Sequence, residues 1–204
     1  MPNRTHLHNL HIQAVVRGKL ADAISYNVNE LVSMKDGTPL GIVAWHGRNL
    51  LELLIWTEYC IKSPENAARF AVDAIRDLDD IIKLVTPEEL DAVTPEDKQQ
   101  FESLKAARAG LTNEDVVPED LSKRYTSVRT AADEIGKLSY YEKGMKVFSK
   151  WAHPTALVVM IGTPSADVMN SSRIVMTKLA LEMATEACTM GKAFGDELRV
   201  SLPS

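Results

Sequence analysis

The segment from about Pro39 to Lys62 constrains the fold most, because it has helical spacing and is apolar almost all round. Its large apolar side chains are Ile42, Val43, Trp45, Leu50, Leu51, Leu53, Leu54, Ile55, Trp56 and Ile61. A helix that is hydrophobic on every side has to be surrounded by other elements. The sequence therefore predicts a bundle with this helix at its centre.

Helical spacing of apolar residues continues along the rest of the chain, and no segment alternates in the manner of a β-hairpin. Ser63-Pro64, Thr94-Pro95 and Thr163-Pro164 each combine a capping residue with a proline suited to the first helical position. The predicted helices span about residues 4–35 (with Gly18 as a candidate interruption), 39–62, 64–84, 95–109, 121–135, 139–152 and 163–190, the last ending near Gly191. We predict an all-α, up-and-down helical bundle that forms a single domain over residues 1–204.

Residues 86–120 differ from the bundle in composition. They hold ten acidic and three basic residues, together with three prolines, and they lack the apolar residues needed for a core of their own. We expect an acidic surface excursion that contains one short helix. Residues 122–151 reverse this balance, with seven Lys or Arg against three acidic residues.

Composition and charge exclude several classes of protein. The content of 45% hydrophobic and 25% charged residues is typical of a globular chain, and the formal net charge of −5 argues against non-specific coating of nucleic acid. The longest apolar run, residues 156–161, is too short to cross a bilayer, and the N-terminus has no apolar signal core. Cys60 and Cys188 lie in apolar helical patterns and are expected to be reduced core thiols. We expect a cytoplasmic protein without membrane association.

The chemistry that the sequence suggests is centred on His153. Glu142, Lys146, Ser149 and His153 are spaced 4, 3 and 4 apart, which places them within about 60° on one stripe of a helix. His153 precedes Pro154 and is therefore expected at the helix C-terminus, where the helix dipole favours the imidazolium form. A histidine beside a lysine suits proton transfer at a phosphate. The alternative is a helix-end histidine satisfied by backbone carbonyls.

The segment Phe148-Ser-Lys-Trp-Ala-His153-Pro154 resembles the Ser-x-x-x-His signature of the HEPN superfamily, and Arg48-Asn-Leu-Leu-Glu52 resembles the Arg and Glu on the helix packed against it. The resemblance covers about residues 45–154. It implies an all-α bundle, often dimeric, and many relatives are metal-independent endoribonucleases of toxin–antitoxin and phage-defence systems. His153 matches the family's catalytic histidine. Lys146 stands where the family has an arginine, and a lysine cannot clamp a phosphate with two parallel hydrogen bonds.

The resemblance implies a role for each candidate residue. His153 would remove the proton of a ribose 2′-hydroxyl, Lys146 and Arg48 would stabilise the charge that develops, and Ser149 would orient the phosphate or the imidazole. Arg48 and Glu52 form either an ion pair near this site or a bridge that only fixes packing. This reaction needs no cofactor and no metal.

Two alternatives compete with RNA cleavage or RNA binding. The first is a non-catalytic bundle that forms a homodimer or binds a protein partner, such as an antitoxin-like protein, through the acidic excursion. The second is a metal-dependent enzyme that uses His46 or the N-terminal histidines. His8 and His11 are three residues apart and could share a face, but no Glu-x-x-His motif accompanies them or His6.

Overall fold

The computed structural model describes residues 4–35, 37–86, 94–113, 126–153 and 165–201, and all regular structure within these ranges is helical. The helices are α1 (Arg4–Ser33), α2 (Leu40–Lys62), α3 (Pro64–Leu84), α4 (Pro95–Asn113), α5 (Val128–Glu134), α6 (Leu138–Ala152) and α7 (Ala166–Ser201). The prediction of an all-α helical bundle is confirmed. No helix in these ranges combines the length and the apolarity that a bilayer span requires.

The chain divides into two compact units. One comprises Met1–Gln13 with Ser63–Thr126, and the other comprises Ala14–Lys62 with Ser127–Ser204. Each unit has dense contacts of its own, and the single-domain organisation predicted for residues 1–204 stays a prediction.

In the first unit, α3 packs against α4, the helix of the acidic excursion. Ser63 caps α3 by accepting a hydrogen bond from the backbone N–H of Asn66 at 3.1 Å, as the Ser-Pro pair predicts. Arg108 of α4 donates to both carboxylate oxygens of Asp79 on α3, at 2.8 and 3.3 Å. This hydrogen bonding lowers the pKa of Asp79. The short helix predicted within the acidic excursion is confirmed as α4, and it extends beyond the predicted end to Asn113.

In the second unit, α2 is the central helix and packs against α5, α6 and α7. Its buried apolar side chains continue into a core to which α6 contributes Phe148 and α7 contributes Met176, Ala180, Met183, Ala184 and Ala187. The central position predicted for this helix is confirmed. The prediction that α2 is surrounded on every side is wrong at Ile42 and Trp45, which are 45% and 48% exposed.

Three glycines let α2 and α6 approach each other closely. A Cβ atom on Gly47 would lie under 3.0 Å from three ring atoms of Phe148, and one on Gly144 would lie 2.6 Å from a methyl carbon of Leu51. Nearer the end of α6, the carbonyl oxygen of Trp151 would lie 3.1 Å from a Cβ atom on Gly41. The absence of side chains at these positions sets the spacing of the two helices, and the candidate site forms where they meet.

Several predicted boundaries need correction. α1 passes through Gly18 without a break, and α7 passes Gly191 and ends at Ser201, because a single glycine costs a packed helix only about 1 kcal/mol. Ser127 caps α5, so this helix begins at Val128 and not near residue 121. The separation predicted at Gly136 is confirmed by its φ of +77°, whereas the predicted start at residue 163 lies outside the described residues.

The two cysteines differ in environment. Cys60 is buried as predicted, and burial raises the pKa of its thiol. Cys188 is exposed, so its assignment to the core is wrong. It follows Ala187 by one residue, a rotation of about 100°, and Ala187 occupies the buried face of α7.

Candidate functional site

Arg48 joins two of the predicted site residues. Its Nε donates a hydrogen bond to Oε1 of Glu52 at 3.0 Å, and its Nη1 lies 3.1 Å from Nε2 of His153. A guanidinium has donors only. In this contact Nε2 of His153 is therefore the hydrogen-bond acceptor.

Local structure explains why these three side chains meet. Arg48 and Glu52 are four residues apart on α2 and share one face of it. His153 ends α6 in an extended conformation, with φ −120° and ψ 154°, as predicted from the proline that follows it. The close packing of α2 against α6 brings this helix end to Arg48.

The site is open to solvent. The side chains of Arg48 and Glu52 are 33% and 26% exposed, and His153 is exposed. A ligand phosphate can therefore reach the guanidinium and the imidazole together.

Tyr141 of α6 lies beside the ion pair and is not among the residues that the sequence singled out. Burial raises the pKa of its phenol; the charge of Glu52 adds to this, and the charges of Arg48 and Arg129 oppose it. The phenol is therefore neutral at physiological pH and can serve as a hydrogen-bond donor at the edge of the site. The sequence carries no signal for this, because a half-buried tyrosine on a helix resembles any core aromatic.

Lys146 and Ser149 are not joined to the other predicted residues. Lys146 is exposed and Ser149 is half-buried, and in the part of the chain that the structure describes neither makes a hydrogen bond or ion pair with Arg48, Glu52 or His153. Arg48, and not Lys146, supplies the cation that contacts the histidine.

The exposed face of α6 is basic. Lys143, Lys146 and Lys150 are all exposed and lie within about 60° of one another around the helix axis. Glu142, the acidic member of the predicted polar stripe, forms an ion pair with Arg129 at 2.8 Å. We call Lys143, Lys146 and Lys150 the basic stripe of α6.

His46 lies apart from this site. It is buried, and its Nδ1 lies 2.9 Å from Oδ1 of Asn27 on α1. Asn27 donates through its amide nitrogen to the carbonyl of Ala23, so its oxygen faces His46 and also accepts from Asn49. Burial lowers the pKa of His46, and the nearby Glu30 partly opposes this. His46 is thus a neutral core residue that ties α2 to α1.

This unit also has a groove, which lies apart from the Arg48–His153 contact. The groove, of about 900 Å³, runs along α7 beside the end of α1, with Leu31, Val43 and Leu181 among its apolar lining and Arg173 and Glu182 among its charged lining. Arg48, Glu52 and His153 do not line it.

The described residues give no support to the hypothesis of a metal site. Among them, no three His, Cys, Asp or Glu side chains lie in an arrangement that could hold a metal ion. The side chains of His6 and His8 are outside the described residues, so the N-terminal metal site stays a prediction.

Comparison of the chain with protein-family models, with curated proteins and with solved structures finds no match. The resemblance to the HEPN superfamily therefore stays a prediction that depends on the motifs alone.

Proposed function

We propose that this chain is a metal-independent endoribonuclease in which His153 and Arg48 are the catalytic residues. One observation carries the proposal: the Arg48 guanidinium bonds Glu52 through Nε and His153 through Nη1 at a solvent-accessible helix end. This arrangement places a proton acceptor about 3 Å from a phosphate-binding group.

In the proposed reaction, a ligand phosphate displaces the imidazole from Arg48 and takes the hydrogen bonds of its Nη groups. Nε2 of His153 is then free to accept the proton of the ribose 2′-hydroxyl. The 2′-oxygen attacks phosphorus, the bond from phosphorus to the 5′-oxygen breaks, and the leaving oxygen takes a proton from water. The products are a 2′,3′-cyclic phosphate and a 5′-hydroxyl, and Arg48 stabilises the negative charge that develops on the phosphoryl oxygens.

Glu52 is a positioning residue in this scheme. It holds the Nε edge of the guanidinium and leaves the Nη groups directed toward His153. A carboxylate so near the phosphate also repels it, so the net charge of the pair alone does not attract RNA.

The basic stripe of α6 supplies that attraction. Lys143, Lys146 and Lys150 lie on the exposed face of α6, which rises about 15 Å over the ten residues from Lys143 to His153. Exposed lysines spaced along a helix bind phosphates of a nucleic-acid backbone without reading its sequence. In this proposal Lys146 contributes to binding, and its loss affects affinity more than turnover.

The test is cleavage of end-labelled RNA by purified protein in EDTA. We expect wild-type protein to produce cyclic-phosphate ends, and expect His153→Ala and Arg48→Ala each to reduce the rate by about 100-fold or more. His11→Ala and Arg108→Ala are matched controls, since they remove an exposed histidine and a carboxylate-bound arginine elsewhere in the chain. If wild-type protein and His153→Ala leave RNA equally intact, the catalytic proposal is wrong.

A different observation favours a second candidate, a non-catalytic protein that pairs with a second copy of itself. Val32 and Ile174 are 63% and 67% exposed, and both line the groove beside α7. Large apolar side chains exposed at a groove are typical of binding surfaces. This candidate predicts that Ile174→Asp converts a dimer to a monomer in light scattering, while His153→Ala changes nothing that can be measured.

A further inference from the structure

We infer that Trp45 is a stacking platform for an unpaired nucleobase, so that the substrate of the proposed ribonuclease site is single-stranded RNA. The inference rests on the proposed function and adds a substrate class to it. Its basis is the exposure of Trp45 and its position relative to Arg48.

Trp45, like Ile42, is an exposed large apolar residue on an otherwise buried helix. This helix contains the most deeply buried residues of its unit, among them Leu50, Leu51 and Leu54, yet Trp45 is 48% exposed. An exposed tryptophan leaves a large apolar π-face in water, and such faces are enriched where a flat ligand or partner binds.

The helix register places Trp45 at the site. Trp45, Arg48 and Glu52 are spaced 3 and 4 apart and lie within about 60° on one stripe of α2. Side chains three residues apart on a helix have Cβ atoms about 5–6 Å from each other. Trp45 therefore lies one helical turn before the arginine whose guanidinium contacts His153, on the same face of α2.

The end of α6 lies on the same side. The Trp151 carbonyl approaches Gly41, one turn of α2 before Trp45, and His153 follows two residues later. Arg48, Trp45 and the end of α6 with His153 therefore lie on one side of α2. A strand whose phosphate binds Arg48 can extend a base of the same strand toward the indole.

The indole is also held in place. Its ring packs against the buried His46 ring with centroids 4.8 Å apart and planes 83° apart, and His46 is itself fixed by Asn27. A ring held on one side and exposed on another loses little conformational freedom when a base stacks on it.

The chemistry of the ligand follows from these neighbours. A ribose joins each phosphate to its base, so a π-face one helical turn from the phosphate-binding guanidinium lies within reach of a base of the same strand. Bases in a duplex have their faces covered by stacking, whereas bases in loops and single strands can stack on an aromatic side chain. Stacking accepts every base, so we expect preference for unpaired RNA with little sequence selectivity.

Binding is measured by titrating a fluorescently labelled single-stranded RNA oligonucleotide into His153→Ala protein, which prevents turnover. We expect Trp45→Ala to weaken binding by about 5- to 150-fold, the range for loss of one base–aromatic stack. Trp45→Phe is expected to keep most of the affinity, and Trp45→Leu to lose it as Trp45→Ala does. Tyr26→Ala removes an exposed aromatic residue from α1 and is expected to bind like the parent protein.

These variants separate stacking from packing. Leu keeps an apolar side chain but has no aromatic face, so equal affinities of Trp45→Leu and Trp45→Phe would mean that Trp45 only packs, and would overturn the inference. Annealing the oligonucleotide to its complement is expected to remove the Trp45-dependent share of affinity. A duplex that binds as tightly as the single strand, with the same loss in Trp45→Ala, would also overturn it.

The two proposals fail in different ways. If RNA is cleaved in a His153- and Arg48-dependent manner and Trp45→Ala has the wild-type KM and kcat, the platform is wrong and the ribonuclease stands. If no RNA is cleaved but Trp45→Ala still weakens single-strand binding, the platform stands and the catalytic proposal is wrong.

Discussion

Replacing Gly47 with alanine tests the structural basis of the site, the close packing of α2 against α6. The new Cβ atom would lie under 3.0 Å from three ring atoms of Phe148. Phe148 is fully buried, so its ring cannot move aside without disturbing the core. Overpacking of this kind costs about 1–3 kcal/mol.

Two effects of opposite sign determine the net change. Alanine in place of glycine within a helix stabilises the folded state by about 1 kcal/mol. A contact with a rigid aromatic ring lies toward the upper part of the overpacking range, so we expect Gly47→Ala to lower the free energy of unfolding by about 1–2 kcal/mol. For a chain of this length that corresponds to a fall in Tm of about 2–8 °C.

Gly18→Ala is the matched control. Gly18 lies within α1 of the same unit, and a Cβ atom there would meet nothing within 4 Å. Only the helix-propensity gain applies, so Tm is expected to rise by about 1–4 °C. Thermal unfolding monitored by circular dichroism compares the two variants, and Phe148→Leu in the Gly47→Ala background is expected to recover part of the loss. If Gly47→Ala stabilises the protein as much as Gly18→Ala does, the packing argument is refuted.

Three further predictions concern other parts of the same unit. Burial lowers the pKa of His46 below its ordinary 6.5, so the unfolded chain binds a proton that the folded chain does not. Stability is therefore expected to be fully present above about pH 6.5 and to fall as the pH drops below it, and denaturant titrations of His46→Gln should show a weaker fall. Lys137 lies 2.7 Å from Glu58 and 2.6 Å from Glu186, so Lys137→Met leaves two carboxylates facing each other. Its Tm should fall, and added salt should restore part of the loss by screening their repulsion; a loss that salt does not change would argue against this account. Cys188 is exposed and Cys60 is buried, so a thiol reagent should label one cysteine quickly in native protein, and Cys188→Ser should abolish this fast phase.

Part of the fold was predictable because it depends on local pattern. The apolar surface of α2 indicated a central helix, and Ser63-Pro64 indicated where α3 begins. Pro154 placed His153 at a helix end because the residue before a proline avoids helical geometry. Each of these inferences uses only neighbours along the chain.

The contact between Arg48 and His153 was not predictable in the same way. The two residues are 105 positions apart, and their distance depends on how closely α2 and α6 pack. That spacing is set by Gly47 against Phe148 and by Gly144 against Leu51, and an isolated glycine in a helical pattern does not reveal which side chain faces it. The sequence accordingly predicted Lys146 beside His153, and gave Arg48 a role in stabilising charge without predicting its contact with the histidine.

The solvent exposure of individual apolar residues was also not predictable from the spacing of apolar residues along the chain. Trp45 and Cys188 lie in helices with apolar residues on several faces, so the helical period alone does not distinguish the covered face from the open one. The exposure of Trp45 becomes apparent only when the neighbours of α2 are in place.

The most direct test of the central claim is the dependence of cleavage on a single 2′-hydroxyl. The substrate is a DNA oligonucleotide with one ribonucleotide, incubated with wild-type protein in EDTA, and the products are identified by mass spectrometry. The account predicts one cut, on the 3′ side of the ribonucleotide, with a 2′,3′-cyclic phosphate end. No cut is expected when the 2′-hydroxyl is methylated or when His153 is replaced by alanine. Cleavage at deoxynucleotides, or products with 3′-hydroxyl ends, would contradict the role assigned to His153 and Arg48.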